Sequence, residues 1–295
     1  MNQSLTYYLT LFVLKLKGIK KTFSTDPIGV QKIRKEDVHN PKGSFFKKQT
    51  VRSFTIVDTL ITEVQQDKKS SELLIFIHGG AFISGPAKHH WDTLKQIHKQ
   101  SNHAIWMCDY PKAPENTISA ISNNMDNVFK IALKQFDASQ ITLMGDSVGG
   151  TLITALIQRL NTSKSELPKK IILVSPVMDA TLSNPQIDAI DLIDPMLSKK
   201  GVLSAKKMCA EHNDLKDPKI SPLYGMFDNF PHTILFLATR DITYPDQVLA
   251  VAKLRKIQTQ LDVIEGTNMP HIWPLLPVMK EAKTALKELI KHINN

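Results

Sequence analysis

Hydrophobic positions along this chain follow two alternating rhythms. From residue 51 onward, short apolar runs are separated by longer stretches in which apolar residues recur every three or four positions. Residues 51–57 and 61–64 read as strands, and 72–77 (ELLIFI) is a continuous apolar run that stops at His78-Gly79-Gly80. Residues 91–99 have helical spacing, 103–110 form a further strand, and 118–135 put Ile118, Ile121, Met125, Val128, Phe129 and Leu133 on one helix face. The pattern predicts a strand over 140–144 and a helix over 151–160. It then predicts strands over 170–174, 233–238 and 261–264, with helices over 247–257 and 278–293. Strands that are apolar at every position and alternate with helices imply a mostly parallel sheet covered on both faces.

Two regions break the rhythm. Residues 180–226 are rich in Asp, Lys, Ser and Pro, with helical pieces at 187–193 and 203–211. Inserted between two strands where their ends meet, such a segment would lie as a cap over a site. The second region is 1–50, whose apolar stretch 5–16 includes Lys15 and is followed closely by Lys17, Lys20 and Lys21. That stretch is too short to span a bilayer. It has neither a preceding basic residue nor the small-residue cleavage site of a signal peptide. It reads as an amphipathic helix packed on the body, or alternatively as a weak peripheral membrane contact. The expected organisation is an N-terminal helical segment over 1–50 that joins the cap, a catalytic core over 51–179 and 227–295, and a cap insertion over 180–226.

Composition narrows the function classes. The chain has 295 residues, 42% of them hydrophobic and 22% charged, which suits one large soluble domain. Its formal charge is +9, but the lysines are scattered in pairs and no basic run is interleaved with aromatics, so a nucleic-acid site is excluded. Cys108 and Cys209 have neither a disulfide framework nor a zinc spacing. A reducing, cytoplasmic setting is expected.

The chemistry concentrates at Gly145-Asp146-Ser147-Val148-Gly149-Gly150, between a predicted strand and a predicted helix. This is the context of a G-x-S-x-G nucleophile elbow, in which side chains at both glycines would collide with the neighbouring strand and helix. Three fixed positions recur by accident in about one chain of this length in ten, so the rest of the machinery has to be present too. His78-Gly79-Gly80-Ala81-Phe82 follows a strand directly and suits an oxyanion hole built from the amides of Gly79, Gly80 or Ala81, completed by that of Val148. Asp241 follows the strand at 233–238, and His271 follows the strand at 261–264. The order Ser147, Asp241, His271 is the one used by α/β-hydrolases.

These motifs resemble the hormone-sensitive-lipase-like branch of the α/β-hydrolases, which includes bacterial acetyl esterases and arylacetamide deacetylase. The resemblance covers 73–274. His78-Gly79-Gly80-Ala81 is similar to the branch's His-Gly-Gly-Gly, and Asp109-Tyr110-Pro111-Lys112-Ala113-Pro114-Glu115 to its Asp-Tyr-Arg-Leu-Ala-Pro-Glu. Gly145 to Gly150 is similar to Gly-Asp-Ser-Ala-Gly-Gly, and Ser175-Pro176 with Asp179 adds a further match. The resemblance assigns the acid to Asp241-Ile242-Thr243 and, more loosely, the base to the stretch from Met269 to Trp273. Ala81 and Val148 depart from the pattern without removing an amide, whereas Pro111-Lys112 leaves vacant the place of an arginine.

The resemblance implies an α/β-hydrolase fold with a mostly parallel eight-stranded sheet, helices on both faces and a helical cap. It implies a serine carboxylesterase for short- to medium-chain acyl esters, with His78, Phe82, Tyr110 and Asp146 around the substrate. No metal or organic cofactor is required. A small-molecule ester is the expected partner, together with a possible homodimer. An amide or N-acetyl hydrolase, an acyltransferase, a lyase and a non-enzymatic small-molecule receptor are the other readings of the same scaffold.

Overall fold

The apolar runs become the strands of one sheet in the computed structural model, which describes residues 3–66, 68–257 and 260–295. The strands are β1 (Thr50–Ile56), β2 (Thr59–Gln65), β3 (Leu73–Ile77), β4 (Ala104–Asp109), β5 (Ile141–Asp146), β6 (Lys170–Val174), β7 (His232–Ala238) and β8 (Leu261–Gly266). They lie in the order β1-β2-β4-β3-β5-β6-β7-β8. β2 is antiparallel to both β1 and β4, and every other pairing is parallel. The expected mostly parallel eight-stranded sheet is therefore present.

Before the sheet come α1 (Leu5–Leu16), α2 (Ile19–Thr22), α3 (Val30–Ile33) and α4 (Ser44–Lys48). Among the strands follow α5 (Lys88–Gln100), α6 (Ile118–Ala132), α7 (Val148–Thr162), α8 (Ile187–Ile193), α9 (Lys199–Cys209) and α10 (Tyr244–Lys256), and α11 (Lys280–Asn294) closes the chain. Successive residues of a strand point to opposite faces, so β3 feeds two cores. Leu73, Ile75 and Ile77 pack with residues of α6, α7 and α10, while Leu74 and Phe76 pack with α5, α11 and the inner side of α1. Every residue of β3, β5 and β6 is buried, which is why these runs show no alternation in the sequence.

Two boundaries differ from expectation. The helix after the elbow starts at Val148 rather than at residue 151. Gly149 and Gly150 are poor helix formers, but close packing requires them, because a Cβ on Gly149 would lie 1.9 Å from the Ile77 carbonyl oxygen. The second helix of the 180–226 segment is α9, shifted towards the N-terminus of its expected span. Residues 18–30 run against it: the Ile28 amide donates to Ser204 Oγ (3.0 Å), and Gly201 lies so close to the Phe23 carbonyl that a Cβ would be 1.9 Å from its oxygen.

Candidate active site

At the end of β5 the chain turns sharply through Ser147, with φ 51° and ψ −122°, and enters α7. A non-glycine residue in this region is strained and persists only where its surroundings hold it. Here the Ser147 amide donates to the Val174 carbonyl at the end of β6 (2.8 Å). A Cβ on Gly145 would lie 2.6 Å from the Gly149 carbonyl carbon, so the elbow glycines have the steric role expected of them.

His271 and Asp241 converge from the loops after β8 and β7. His271 Nδ1 lies 2.7 Å from Asp241 Oδ2, and Asp241 Oδ1 accepts from the Thr243 amide (2.9 Å). Both side chains are buried. The Ile272 amide donates to Ser175 Oγ (3.0 Å), tying the histidine loop to the residue after Val174, whose carbonyl holds Ser147. Among the described residues no hydrogen bond joins Ser147 Oγ to His271 Nε2. Such contacts often tighten only when substrate is bound. Burial opposes a charge on His271, but the Asp241 carboxylate, helped by Asp194 and Asp146, outweighs it and raises the imidazole pKa above its ordinary value.

The turn after β3 supplies donors. Gly80, Ala81 and Phe82 all have positive φ (125°, 55° and 67°), which costs the two L-residues roughly 1–2 kcal/mol each. The Gly80 carbonyl accepts from the amides of Ile83 and Ser84 (3.0 and 3.1 Å). No described protein group accepts from the amides of Gly80, Ala81 or Val148. Gly79 departs from expectation. Its amide already donates to Asp146 Oδ1 (3.1 Å), so it anchors the turn and the free donors are those of Gly80, Ala81 and Val148.

Three residues expected around the substrate are instead packed behind this turn. His78, Tyr110 and Asp146 are each at most 1% exposed. The Tyr110 hydroxyl donates to the His78 carbonyl (2.9 Å), and the His78 ring stacks on Tyr110 with centroids 4.4 Å apart. Burial, reinforced by Lys112 and neighbouring histidines, holds the His78 pKa well below its ordinary value. Asp146 holds Gly79 on one side and lies 3.3 Å from His90 Nε2 on the other. All three are supports of the turn, and their polar side chains next to catalytic motifs invited a substrate-facing reading that burial overrides. Phe82 is buried too, with its ring turned toward α9.

His89, His90 and Asp146 are grouped closely enough to suggest a metal site, with potential ligand atoms within 4.8 Å of one another. Their hydrogen bonds argue otherwise. His90 Nδ1 accepts from the Ala87 amide (2.8 Å), so the ring proton sits on Nε2 and points at Asp146, leaving no lone pair there for a metal.

The sequence reading missed several supports because they are distant in the chain. Arg34 donates to the carbonyls of Ile83 and Ala113 (both 2.8 Å) and forks onto the Glu115 carboxylate, so an arginine from the N-terminal segment braces the stretch just after Pro111-Lys112. The Gly85 amide donates to Asp37 Oδ1 (2.7 Å). Asp194, between α8 and α9, accepts from the amides of Met196, Leu197 and Ile242 (2.7, 2.9 and 3.0 Å). Burial and the nearby Asp241 charge push its carboxyl up to about 7. The only local signal was Asp194-Pro195 at a helix end, which reads as a turn.

A strained serine after a parallel strand, unengaged amides beside it, and a histidine–aspartate pair on the loops after β8 and β7 define a hydrolase-type site on an α/β sheet. Residues 74–275 match the family model described as the alpha/beta hydrolase fold, and the chain belongs to that family. It is similar to an esterase of Acinetobacter venetianus, with 27% identity over 77% of this chain and 76% of that protein. Esterase LipU of Mycobacterium tuberculosis is 26% identical over 75% and 76% of the two chains. The crystal structure of an esterase from the bacterial hormone-sensitive lipase family superposes with a TM-score of 0.87 over 100% of this chain and 99% of that one, at 18% identity. The chain is thus an α/β-hydrolase of the esterase and lipase type.

Proposed function

We propose that the protein is a serine carboxylesterase acting on short- to medium-chain acyl esters through Ser147, His271 and Asp241. One arrangement carries this reading: Ser147 stands on a strained elbow between the unengaged amides of Gly80, Ala81 and Val148 and the loop bearing His271, whose Nδ1 is committed to Asp241 at 2.7 Å. Ser147 Oγ attacks the ester carbonyl while His271 Nε2 takes its proton. Asp241 fixes the tautomer and stabilises the imidazolium. The three amides hold the oxyanion, His271 returns the proton to the leaving alcohol, and water attacks the acyl-enzyme with His271 again as base. The Ala81 methyl and the buried Val148 favour a modest acyl group, as would a cap formed over the site by 180–226 and the N-terminal segment.

Ser147→Ala is expected to lower kcat for p-nitrophenyl butyrate by a factor of about 10⁴ or more and to abolish labelling by a fluorophosphonate probe. A variant that keeps most of the wild-type rate would overturn the assignment.

A further inference from the structure

Helix α9 carries a lysine that the mechanism does not use. Lys206 is fully buried (0% exposed), and its Nζ has no hydrogen-bond partner. The described residues hold no carboxylate within ion-pair distance of it. Nζ sits over the Phe82 ring, 4.3 Å from the centroid, and Phe82 is the residue directly after Ala81. That packing puts the lysine on the side of α9 that faces the oxyanion turn, and its neighbours Ala205 and Cys209 are buried in the same core as Ala81, Phe82 and Val148. Cys209 offers no counter-charge, because burial pushes its thiol up to about 12. Burial pushes the Lys206 ammonium down to about 7. An unpaired buried ammonium is costly, and an aromatic face compensates only part of that cost. A methionine or leucine would fill the same space without the penalty.

We propose that Lys206 is a substrate-binding residue that pairs with a carboxylate on the ester, so that the preferred substrates carry an anionic group a few bonds from the scissile carbonyl. This rests on the esterase reading above. Two matched pairs test it: p-nitrophenyl monoadipate against p-nitrophenyl heptanoate, with the charge on the acyl side, and carboxyphenyl butyrate against phenyl butyrate, with the charge on the alcohol side. In at least one pair the wild type should favour the anionic ester in kcat/KM by tenfold or more. Lys206→Met should reduce that ratio at least tenfold, and Lys206→Arg should retain most of it. Ratios near one in both pairs, or ratios unmoved by Lys206→Met, would overturn the proposal. Calorimetry of methyl hydrogen adipate and of carboxyphenyl butyrate binding to Ser147→Ala, with and without Lys206→Met, measures the same pairing in the absence of turnover. Hydrolysis of p-nitrophenyl butyrate by the wild type tests the esterase reading separately.

A different observation supports a second inference. α1 buries Tyr7, Thr10 and Leu14 and leaves Leu5, Tyr8, Leu9, Phe12, Val13 and Leu16 exposed, with Leu5 at 88% and Leu16 at 70%. On α8, Leu192 is 85% exposed and Ile193 is also open, and Lys20 ties the two regions together by donating to the Asp194 carbonyl (2.9 Å). Exposed Lys15, Lys17 and Lys21 flank the apolar face, while the nearby Asp188 and Asp191 are paired with Lys199 and Lys20. An apolar helix face bordered by unpaired lysines suits an anionic lipid surface.

We infer that this face docks on anionic membranes. The protein should float with phosphatidylglycerol-containing vesicles and not with pure phosphatidylcholine, and Leu9→Ser combined with Phe12→Ser should reduce the bound fraction at least fivefold. Equal recovery with both vesicle types would overturn the inference. So would a dimer in light scattering that the same double variant converts to monomer, because a second copy would then cover the face.

Discussion

In the proposed mechanism Asp194 bears on the working pH through the charge it places beside Asp241 and His271. Its carboxylate adds to that of Asp241 in raising the His271 pKa. In the proposed mechanism His271 must be neutral to accept the Ser147 proton, so activity should rise as pH climbs through that raised value, and the acid limb of kcat/KM should lie above 6.5, the ordinary imidazole figure. Asp194→Asn removes one of the charges that favour imidazolium while keeping an acceptor for the Met196, Leu197 and Ile242 amides, so the limb should move to lower pH. A pH–rate profile checks this, and an unmoved limb would show that Asp194 acts only by bracing the Ile242 loop. Motif order made Ser147, Asp241 and His271 legible. Nearby sequence marked Asp194 only as a turn before Pro195, because its importance comes from lying against Asp241, 47 positions away by number.

The turn after β3 and the β5–α7 elbow work as a pair. Asp146 ends β5 and holds the Gly79 amide of the other turn, while Gly149 on α7 lies under the Ile77 carbonyl that precedes it. A methyl at Gly149 would have to push these two backbones apart. Gly149→Ala should therefore destabilise the fold by about 1–3 kcal/mol or more, a fall in Tm of roughly 2–4 °C per kcal/mol, and should lower activity in the fraction that stays folded. Calorimetric melting measures the first effect, and an unchanged Tm would mean the elbow has slack. The glycine spacing announced both turns. Which amides remain free did not follow from it, because Gly79 is committed only through a carboxylate 67 positions further along the chain.

Across the molecule, the alternation of apolar strands and helices was sufficient to predict a mostly parallel sheet, since strands buried on both faces cannot afford polar positions. The order of the strands was not legible, nor was the way the N-terminal segment returns to the far end of the domain. Arg34 reaches Glu115, Ser4 bonds to Glu281 on α11, and Tyr7 donates to the Asn268 carbonyl (2.8 Å). The apolar stretch 5–16 was open to two readings, a packed helix or a membrane contact. The structure shows a helix with one face on the body and the other uncovered. No described helix is long and apolar enough to cross a membrane.

Periodicity and motif order are local properties, written by the steric needs of strands, helices and tight turns, and they were enough to determine the fold class, the elbow and the three residues of the proposed triad. Burial and pairing between distant segments are not local. Folding moved His78, Tyr110 and Asp146 from candidate substrate contacts to buried supports, engaged the Gly79 amide, and left Lys206 in an apolar interior without a counter-charge. In each case the deciding quantity is what surrounds a polar group once water is removed, and that depends on which parts of the chain come together.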